Sequence, residues 1–540
     1  MKMRTSRRGL ALLLPFLLAG LFALTVYGDE GDPPGRVARL SLAQGKVSFQ
    51  PSGETAWSEA SVNRPVTTGD RLFTDQGARA ELEVGPFAVR LSQSTDVTLA
   101  NLNDQLMQLG VGQGTLRVTI FEMPENNTVE VDTPNGALIL QTRGSYRVDT
   151  APDGNSTQVT VNEGTLQISA GELSQTLQSG EAVQLTGTGP VAASALSVPP
   201  LDDFDQWCAG RDRRIETSAS VQSVGPAVPG GEDLDTSGQW TTEPDYGQVW
   251  IPANVAPDWV PYRNGYWAFI EPWGWTWVEA ERWGYAPFHY GRWVHMGPVW
   301  AWVPGPAVGR PVYAPALVAF VGGPGFGVGM GIGLQAWFPL GPREPFVPWY
   351  HYGPNYIRDV NTVNVTNITN IHYVNREVAV TAVSGEVFRG GQPVTRGLVH
   401  VNPEQLAHAE IIPHPEVNPT SQAVFGARTV AAPPVPTARF GAMRPESPGE
   451  PAGPRTAGPP NAASPHVFTR NAPAPSTPPF ATRQDAYSSH PGRPLEPQQM
   501  NNLRAGKPAG PMHDKEAIPH PAKGNSQPKS SPPPAAHGHH

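Results

Sequence analysis

Tryptophan is concentrated in one stretch of this chain. Thirteen of its fifteen tryptophans lie between Trp240 and Trp349. Because tryptophan has the largest apolar side chain and also carries an N–H donor, such a concentration dominates whatever packs around it. The rings form either the core of a small aromatic-rich domain or a surface that binds a ligand. Most of the functional question depends on which of the two is true.

The tryptophan-rich stretch has an internal repeat. The pattern P-[YF]-x-x-G-x-W occurs at 261–267 and again at 287–293, an offset of 26 residues. A second landmark, W-[IV]-x, begins at Trp250, Trp277 and Trp302, at spacings of 27 and 25 residues. Repeats of this length are typical of stacked supersecondary units. Short aromatic and β-branched runs between Gly and Pro favour strands over helices, so we predict a compact antiparallel β domain over 246–412.

Two further patterns lie inside this predicted domain. Glycine occupies every second position from Gly323 to Gly333, which would place all of these glycines on one face of a strand. We expect that face to pack against tryptophan rings, and a flexible glycine loop is the alternative. Asparagine recurs every third residue from Asn361 to Asn370. An extended edge segment is the simpler interpretation, and a threefold or oligomer-forming segment is the alternative.

Residues 36–190 are predicted to form an all-β domain. Apolar and polar residues alternate in runs such as 80–84, 116–120 and 158–161, and Gly, Asn and Asp separate the runs. This alternation is typical of half-buried strands in a sandwich, roll or solenoid. Asp153-Gly154-Asn155 predicts a hairpin turn, because Gly and Asn accept the positive φ that such turns need.

The same region resembles the FecR-type periplasmic domains. The resemblance is carried by TTGDRLFTDQGARAEL at 67–82, VDTPNG at 131–136, TRGSYRV at 142–148 and VTVNEGTL at 159–166, followed by the GEA of 180–182. It implies a β-rich, solenoid-like or roll-like extracytoplasmic domain. The family's signalling role also needs a helical cytoplasmic domain before its membrane helix. This chain has only about eight residues there, so that role does not carry over safely.

Residues 191–245 are predicted to be a linker with one docking helix over 201–214, whose apolar face holds Leu201, Phe204, Trp207 and Cys208. The helix and the tryptophan blocks together, over about 200–410, resemble a Trp-rich bacterial domain of unknown function. That domain often follows a FecR-like domain in exported proteins. The resemblance implies no activity.

The two ends of the chain differ in composition from the rest. Basic residues from Lys2 to Arg8 precede an apolar run over 10–26, so we predict that 1–28 is an export signal or an anchor. The expected location is periplasmic or extracytoplasmic, with contact to the inner membrane only if the segment is not cleaved. Residues 413–540 hold 28 of the 61 prolines and are predicted to be a disordered tail.

No pattern for catalysis, a cofactor or a metal site stands out. The net charge of −9 comes without a basic stripe, which argues against nucleic acid as a partner. We expect His289 and His295, which flank Trp293, to be packed side chains rather than metal ligands. The carboxylates of Glu271, Glu279 and Glu281 do not predict an acid/base pair. Cys208, the only cysteine, is expected to be a buried or idle thiol, and His537, His539 and His540 a solvated end.

The sequence therefore predicts a mainly β chain with a FecR-like domain, a small Trp/Gly-rich antiparallel β domain and a disordered Pro-rich tail. We expect a non-enzymatic exported envelope protein that binds or scaffolds a protein or the cell wall. One alternative is a glycan-binding module that stacks sugars on Trp259, Trp273 and Trp283, which lie between the repeated blocks. Another is a signalling regulator of the FecR kind, and an enzyme is the least favoured.

Overall fold

The computed structural model describes residues 32–305, 311–323, 326, 333–361, 373–426, 428–434 and 468–512. The predicted mainly β class is confirmed. The predicted export signal or anchor at 1–28 lies outside the described residues, as do His537, His539 and His540. Among the described helices, none has both the length and the apolar character needed to span a membrane.

The first unit consists of short strands joined mostly by tight turns. Its strands are β1 (Ala38–Gln44), β2 (Val47–Gln50), β3 (Trp57–Glu59), β4 (Pro65–Val66), β5 (Arg71–Thr74), β6 (Arg79–Val84), β7 (Phe87–Leu91), β8 (Asp96–Leu102), β9 (Leu106–Ile120), β10 (Thr128–Thr133), β11 (Gly136–Leu140), β12 (Gly144–Thr150), β13 (Ser156–Glu163), β14 (Thr165–Ala170), β15 (Leu173–Gln178), β16 (Glu181–Thr186) and β17 (Ala192–Leu196). The predicted hairpin turn at 153–155 joins β12 to β13.

These strands form two layers that share β9. One layer has the order β4-β1-β6-β7-β9-β12-β13-β16-β17, and the other has the order β3-β2-β5-β8-β9-β10-β11-β14-β15. Strand β9 passes from one layer to the other at Gly114, where φ is +93° and a Cβ would lie only 2.4 Å from the Cα of Thr95. Glycine is therefore needed at this crossing. Inward-facing side chains of both layers fill a single core.

The segment after the β domain contains more structure than the predicted single helix. It forms α1 (Asp203–Glu216), α2 (Ala219–Val224) and a 3-10 turn (Gly231–Thr236). Helix α1 begins where Asp202 caps it, so Leu201 lies outside the helix and is 62% exposed, contrary to the predicted apolar face. Phe204 and Cys208 are buried as predicted.

Each tryptophan repeat is one β-hairpin. The hairpins are β18 (Gly238–Glu243) with β19 (Gly247–Pro252), β20 (Gly265–Ile270) with β21 (Gly274–Glu279), and β22 (Arg292–Met296) with β23 (Val299–Val303). The first and third join through β19 and β23 into a four-stranded sheet, and the second forms a sheet of two strands. The domain thus begins near residue 238, earlier than the predicted 246. A 3-10 turn (Arg282–Gly284) and helix α3 (Tyr285–His289) precede the third hairpin, although no helix was predicted within the repeat.

The rest of this domain is a second four-stranded sheet with short helices around it. Its elements are β24 (Val318–Gly322), β25 (Gln335–Pro339), α4 (Pro354–Val360), α5 (Arg376–Ala379), β26 (Thr381–Val383), α6 (Gly385–Arg389), a 3-10 turn (Val394–Arg396), α7 (Pro403–His408), β27 (Glu410–Ile412), α8 (Ser421–Phe425) and β28 (Thr429–Val430). Strand β28 pairs with β3 of the β domain.

The alternating glycines are described only in part. Strand β24 ends at Gly322, and both Gly323 and Gly333 have positive φ, so the ends of the predicted glycine strand are not extended. The positions between them lie outside the described residues, apart from Phe326. Residues 362–372, which hold the later members of the asparagine pattern, are also outside the description. Asn361 itself bonds to the backbone of Phe346 and so belongs to the packed structure.

The predicted disordered tail needs a correction at 468–512, which we call the C-terminal segment. This segment forms α9 (Phe480–Ser489) and α10 (Pro497–Arg504) and packs on the rest of the protein. Phe480, Tyr487 and Met500 are buried in the same core as the tryptophans. The proline-rich composition concealed these few apolar anchors, because an average over the whole tail hides widely spaced residues. Residues 435–467 and 513–540 lie outside the described residues.

Candidate functional site

The three tryptophans predicted to stack on a ligand lie within or beside the aromatic core. Trp273 is 1% exposed and packs edge-on against Tyr313, with ring centroids 5.2 Å apart. Trp283 is 6% exposed and its centroid lies 4.9 Å from that of Trp250. Trp259 is half-buried and packs against Trp283. As placed, neither Trp273 nor Trp283 offers a ring face to a sugar, and stacking stays a prediction only for the exposed part of Trp259.

Most hairpin tryptophans use their indole N–H groups inside the protein. Buried polar groups need such partners, because an unpaired donor costs free energy once it leaves water. The acceptors are the carbonyls of Leu234 for Trp250, Tyr290 for Trp302 and Pro287 for Trp293, and the carboxylate of Glu279 for Trp277. Packing is therefore the main role of these rings.

Glycines of the G-x-W blocks make room for tryptophans across each hairpin. A Cβ on Gly265 would lie 2.6 Å from Cζ2 of Trp277 and 2.3 Å from the carbonyl oxygen of Val278. The same relation holds for Gly238 with Trp250 and for Gly291 with Trp302. The repeat is thus a packing unit, in which the glycine of one strand leaves room for the indole ring of the paired strand.

The histidines near Trp293 lie in different surroundings. His289 is buried, and its Nδ1 lies 2.8 Å from the carbonyl oxygen of Ala314, so the neutral ring donates from Nδ1. Burial lowers the pKa of His289 to about 3. His295 is exposed and packs beside Trp300. Within the described residues, no group of three or more His, Cys, Asp or Glu side chains is placed to hold a metal ion.

The three carboxylates of the repeat have separate partners. Glu279 accepts from the indole of Trp277 at 2.9 Å, and burial raises its pKa to about 8. Glu281 accepts from Asn264, and Glu271 accepts from Tyr487 of the C-terminal segment. This arrangement gives each carboxylate a structural contact and does not assemble an acid/base pair.

Charged side chains are buried on the outer face of one β layer. Arg39, Glu81 and Arg90 are fully enclosed and Glu83 is 3% exposed, although they alternate along their strands with core residues. They are enclosed because α1 and the 3-10 turn that starts at Gly231 cover this face. These four residues, together with the helix and turn residues that bind them, are called the junction below.

Glu81 is the centre of the junction. Its carboxylate accepts from Nε of Arg90 at 2.6 Å and from Nε of Arg211 of α1 at 3.0 and 3.1 Å. Arg90 also pairs with Asp212 of α1 at 2.5 Å. Burial alone would raise the pKa of Glu81, but the hydrogen bonds and charges of Arg211 and Arg90 outweigh it and lower the pKa to about 2. The carboxylate is therefore ionised and held by two guanidinium groups.

Arg39 extends the junction towards the tryptophan-rich domain. Its guanidinium group pairs with Glu83 at 3.3 Å and with Asp233 at 2.5 Å, and it donates to the carbonyl of Arg282 at 2.6 Å. The nearby amide of Asn63 donates to the carbonyl oxygens of Glu279 and Glu281. Hydrogen bonds of the β domain therefore reach the turn between the second and third tryptophan hairpins.

The C-terminal segment contacts both domains. On the β domain, Glu130 accepts from the backbone N–H of Arg470 at 2.6 Å, and Glu54 accepts from the backbone N–H of Phe480 at 2.6 Å. On the tryptophan-rich domain, Tyr487 donates to Glu271 at 2.5 Å. The segment thereby bridges the two domains along a path separate from the junction.

Sequence reasoning missed the junction and the C-terminal segment. The available signal was charge on the outward positions of strands β1, β6 and β7, together with acidic residues at the start of α1 and arginines near its end. The expectation for Cys208 agrees with the structure, because the thiol is buried and burial raises its pKa to about 12.

One family model matches most of the tryptophan-rich part of the chain. A model described as a family of unknown function, DUF6600, matches residues 231–344. The match begins at the 3-10 turn and covers all three hairpins. It is narrower than the 200–410 over which the sequence resemblance was drawn. It lies outside the β domain, so the FecR-type resemblance stays a prediction.

Two crystal structures of a protein from Parabacteroides distasonis assigned as an anti-sigma factor, at 1.65 and 2.50 Å resolution, also match. They share 12% and 13% identity with this chain, and each match covers 24% of this chain and 60% of the solved chain. The TM-score is 0.21 for both, which carries no inference about fold or function. No curated protein matches this chain.

Proposed function

We propose that this chain is a non-enzymatic, exported envelope protein in which the β domain and the tryptophan-rich domain act together as one binding scaffold. The junction is the observation that supports this most strongly. Its buried charges, which elsewhere would be candidates for chemistry, form ion pairs that join β strands to helix α1 and to the 3-10 turn that follows it. Such pairing holds surfaces in a fixed relation, which is what a scaffold requires.

The sequence supplies the reasons for placing the scaffold in the envelope. A basic stretch followed by an apolar run at the N-terminus is typical of an export signal. The FecR-type motifs of the β domain point to the same compartment. The expected partner is an envelope protein or the glycan of the cell wall.

The test uses the purified full chain in two binding assays. In one, the immobilised chain is incubated with bacterial envelope extract, with heat-unfolded chain as control. In the other, the chain is sedimented with purified peptidoglycan sacculi. We expect one envelope protein to be retained at a fixed molar ratio, or the chain to pellet with sacculi. Loss of both signals would overturn the scaffold, and release of soluble fragments from sacculi would overturn its non-enzymatic character.

A further inference from the structure

A cavity that the account so far leaves unexplained lies where three parts of the described chain meet. Its volume is about 270 Å³. The β domain contributes Thr68 and Leu102 to its wall, the tryptophan-rich domain contributes Glu271 and Trp273, and the C-terminal segment contributes residues of 474–504. Ligand sites occur preferentially at such meeting points, because several chain segments can supply groups to one space.

Two wall residues carry buried polar atoms that the protein does not satisfy. Nε1 of Trp273 has no hydrogen-bond partner in the described part of the chain, and Oε2 of Glu271 has none with good geometry, although the backbone N–H of Leu495 is close enough to lower the pKa of this carboxyl group. Burying an unpaired polar atom costs about 1–3 kcal/mol, so such atoms usually have a partner. One is a donor and the other is an acceptor, and a hydroxyl group can complement both, since it accepts one hydrogen bond and donates another.

The remaining wall indicates a neutral ligand with both polar and apolar faces. Two arginines, Arg36 and Arg504, are balanced by two carboxylates, Asp32 and Glu271, so the cavity favours neither an anion nor a cation. Hydroxyl groups of threonines stand beside apolar side chains such as Leu102 and Met500. A sugar ring combines several hydroxyls with apolar C–H faces and fits a space of this volume.

We propose that this cavity binds a neutral monosaccharide unit, free or at the end of a glycan, with Trp273 and Glu271 bonding one of its hydroxyls. The indole of Trp273 acts here as a hydrogen-bond donor, and stacking of the sugar on its buried face is not required. The proposal names a small-molecule site in addition to the scaffold function. If the scaffold binds only proteins, no sugar will bind in the cavity, but the chain will still retain a partner from the envelope extract. The failure of one proposal can therefore be told apart from the failure of the other.

The test is a titration of the full chain with glucose, galactose and N-acetylglucosamine, followed by calorimetry and by saturation-transfer NMR. Two substitutions by tryptophan form a matched pair. Ala474→Trp places a large ring in the cavity wall, and Ala472→Trp places the same ring at an exposed position two residues away that does not line the cavity. Trp273→Phe removes the N–H donor and keeps an aromatic ring.

We expect at least one of the sugars to bind the parent chain, and Ala472→Trp to leave its Kd unchanged. Ala474→Trp should abolish binding, and Trp273→Phe should weaken it about tenfold, the change that one lost hydrogen bond of about 1.4 kcal/mol brings. Thermal unfolding of each variant checks that it is folded. Absence of binding by all three sugars would overturn the proposal. It would also be overturned if a folded Ala474→Trp or Trp273→Phe chain bound the sugar as tightly as the parent.

Discussion

The single Nε–H of Arg211 is shared between the two carboxylate oxygens of Glu81, at 3.1 and 3.0 Å, although the two residues are 130 positions apart in the chain. Glu81 lies on an outward position of β6, and Arg211 lies on helix α1. From the sequence alone, the outward face of β6 would be expected to contact solvent, but helix α1 covers it and buries Glu81. It explains why the helix docks on the β domain through charge as well as through its short apolar face.

Replacing Glu81 by Gln should destabilise the chain by about 3–5 kcal/mol, because Arg90 and Arg211 would lose the buried carboxylate that they share, and Arg90 would keep only Asp212 as a counter-charge. Chemical denaturation measures the change. Glu216→Gln is the matched control, since Glu216 pairs with Arg143 where both side chains are largely exposed, and such pairs contribute about 0–1 kcal/mol. Equal effects of the two substitutions would contradict a buried junction.

His289 should make stability depend on pH in the acid range. Its pKa is lowered to about 3 in the folded chain from an ordinary value of 6.5. Below pH 6.5 the unfolded chain takes up a proton that the folded chain does not, so stability falls by about 1.4 kcal/mol per pH unit. His289→Gln removes this dependence. The stability of the parent relative to the variant should therefore fall by roughly 2 kcal/mol from pH 6.5 to pH 5, and a constant difference would contradict a buried neutral ring.

Glu279 should make the stability of the chain fall as pH rises, which is the opposite of the effect of His289. Burial raises its pKa to about 8, so the folded chain keeps a proton that the unfolded chain loses above pH 4.5. Stability that depends on Glu279 therefore falls as pH rises from 4.5 to 8. From pH 5 to pH 7 the parent should lose roughly 3 kcal/mol relative to Glu279→Gln. Chemical denaturation of both proteins at pH 5 and pH 7 measures this difference in stability. A parent chain that gains stability relative to Glu279→Gln over this range would contradict the raised pKa of Glu279.

Gly265→Ala should destabilise the second hairpin, because the added methyl group meets Trp277 and the carbonyl of Val278. Overpacking of this kind costs about 1–3 kcal/mol. Gly189→Ala is the control, since a Cβ there meets nothing within 4 Å and the backbone is not in the left-handed region. Thermal unfolding compares the two, and a neutral Gly265→Ala would contradict the packing role of the repeat glycines.

Arg483→Ala should loosen the C-terminal segment. The Arg483 side chain is 3% exposed, pairs with Glu54 at 3.3 Å and donates to Tyr487 at 2.8 Å. Its loss should raise the rate of protease cleavage within 468–512 at least tenfold, which corresponds to about 1.4 kcal/mol. Arg470→Ala serves as the control because its side chain is exposed and bonds only to Gln167 among the contacts described. Equal cleavage of both variants would show that the segment is not held through Arg483.

The tryptophan repeat was predictable because its information is local. A period of 25–27 residues, with G-x-W at a fixed place, corresponds to one hairpin in which Trp267 faces Trp277. Turn residues such as Gly154 also act through their own backbone conformation. Patterns of this kind can be recognised in a single sequence because they depend only on residues that lie close together in the chain.

The junction and the C-terminal segment were not predictable in the same way. Nothing near Glu81 in the sequence distinguishes a strand face covered by a helix from one covered by water. Tyr487 reaches Glu271 across 216 positions, and the sequence around it has the composition of a tail. For the same reason the burial of Trp273 and Trp283 could not be read from their positions between the repeated blocks.

Equilibrium unfolding of the full chain, followed by two probes, tests most directly the claim that the domains form one unit. Indole fluorescence reports mainly on the tryptophan-rich domain, which holds thirteen of the fifteen tryptophans, and hydrogen exchange of peptides from 36–190 reports on the β domain. We predict that both transitions have the same midpoint, and that Glu81→Gln shifts both together. Two separate transitions in the parent chain, or a Glu81→Gln effect confined to one probe, would contradict the account.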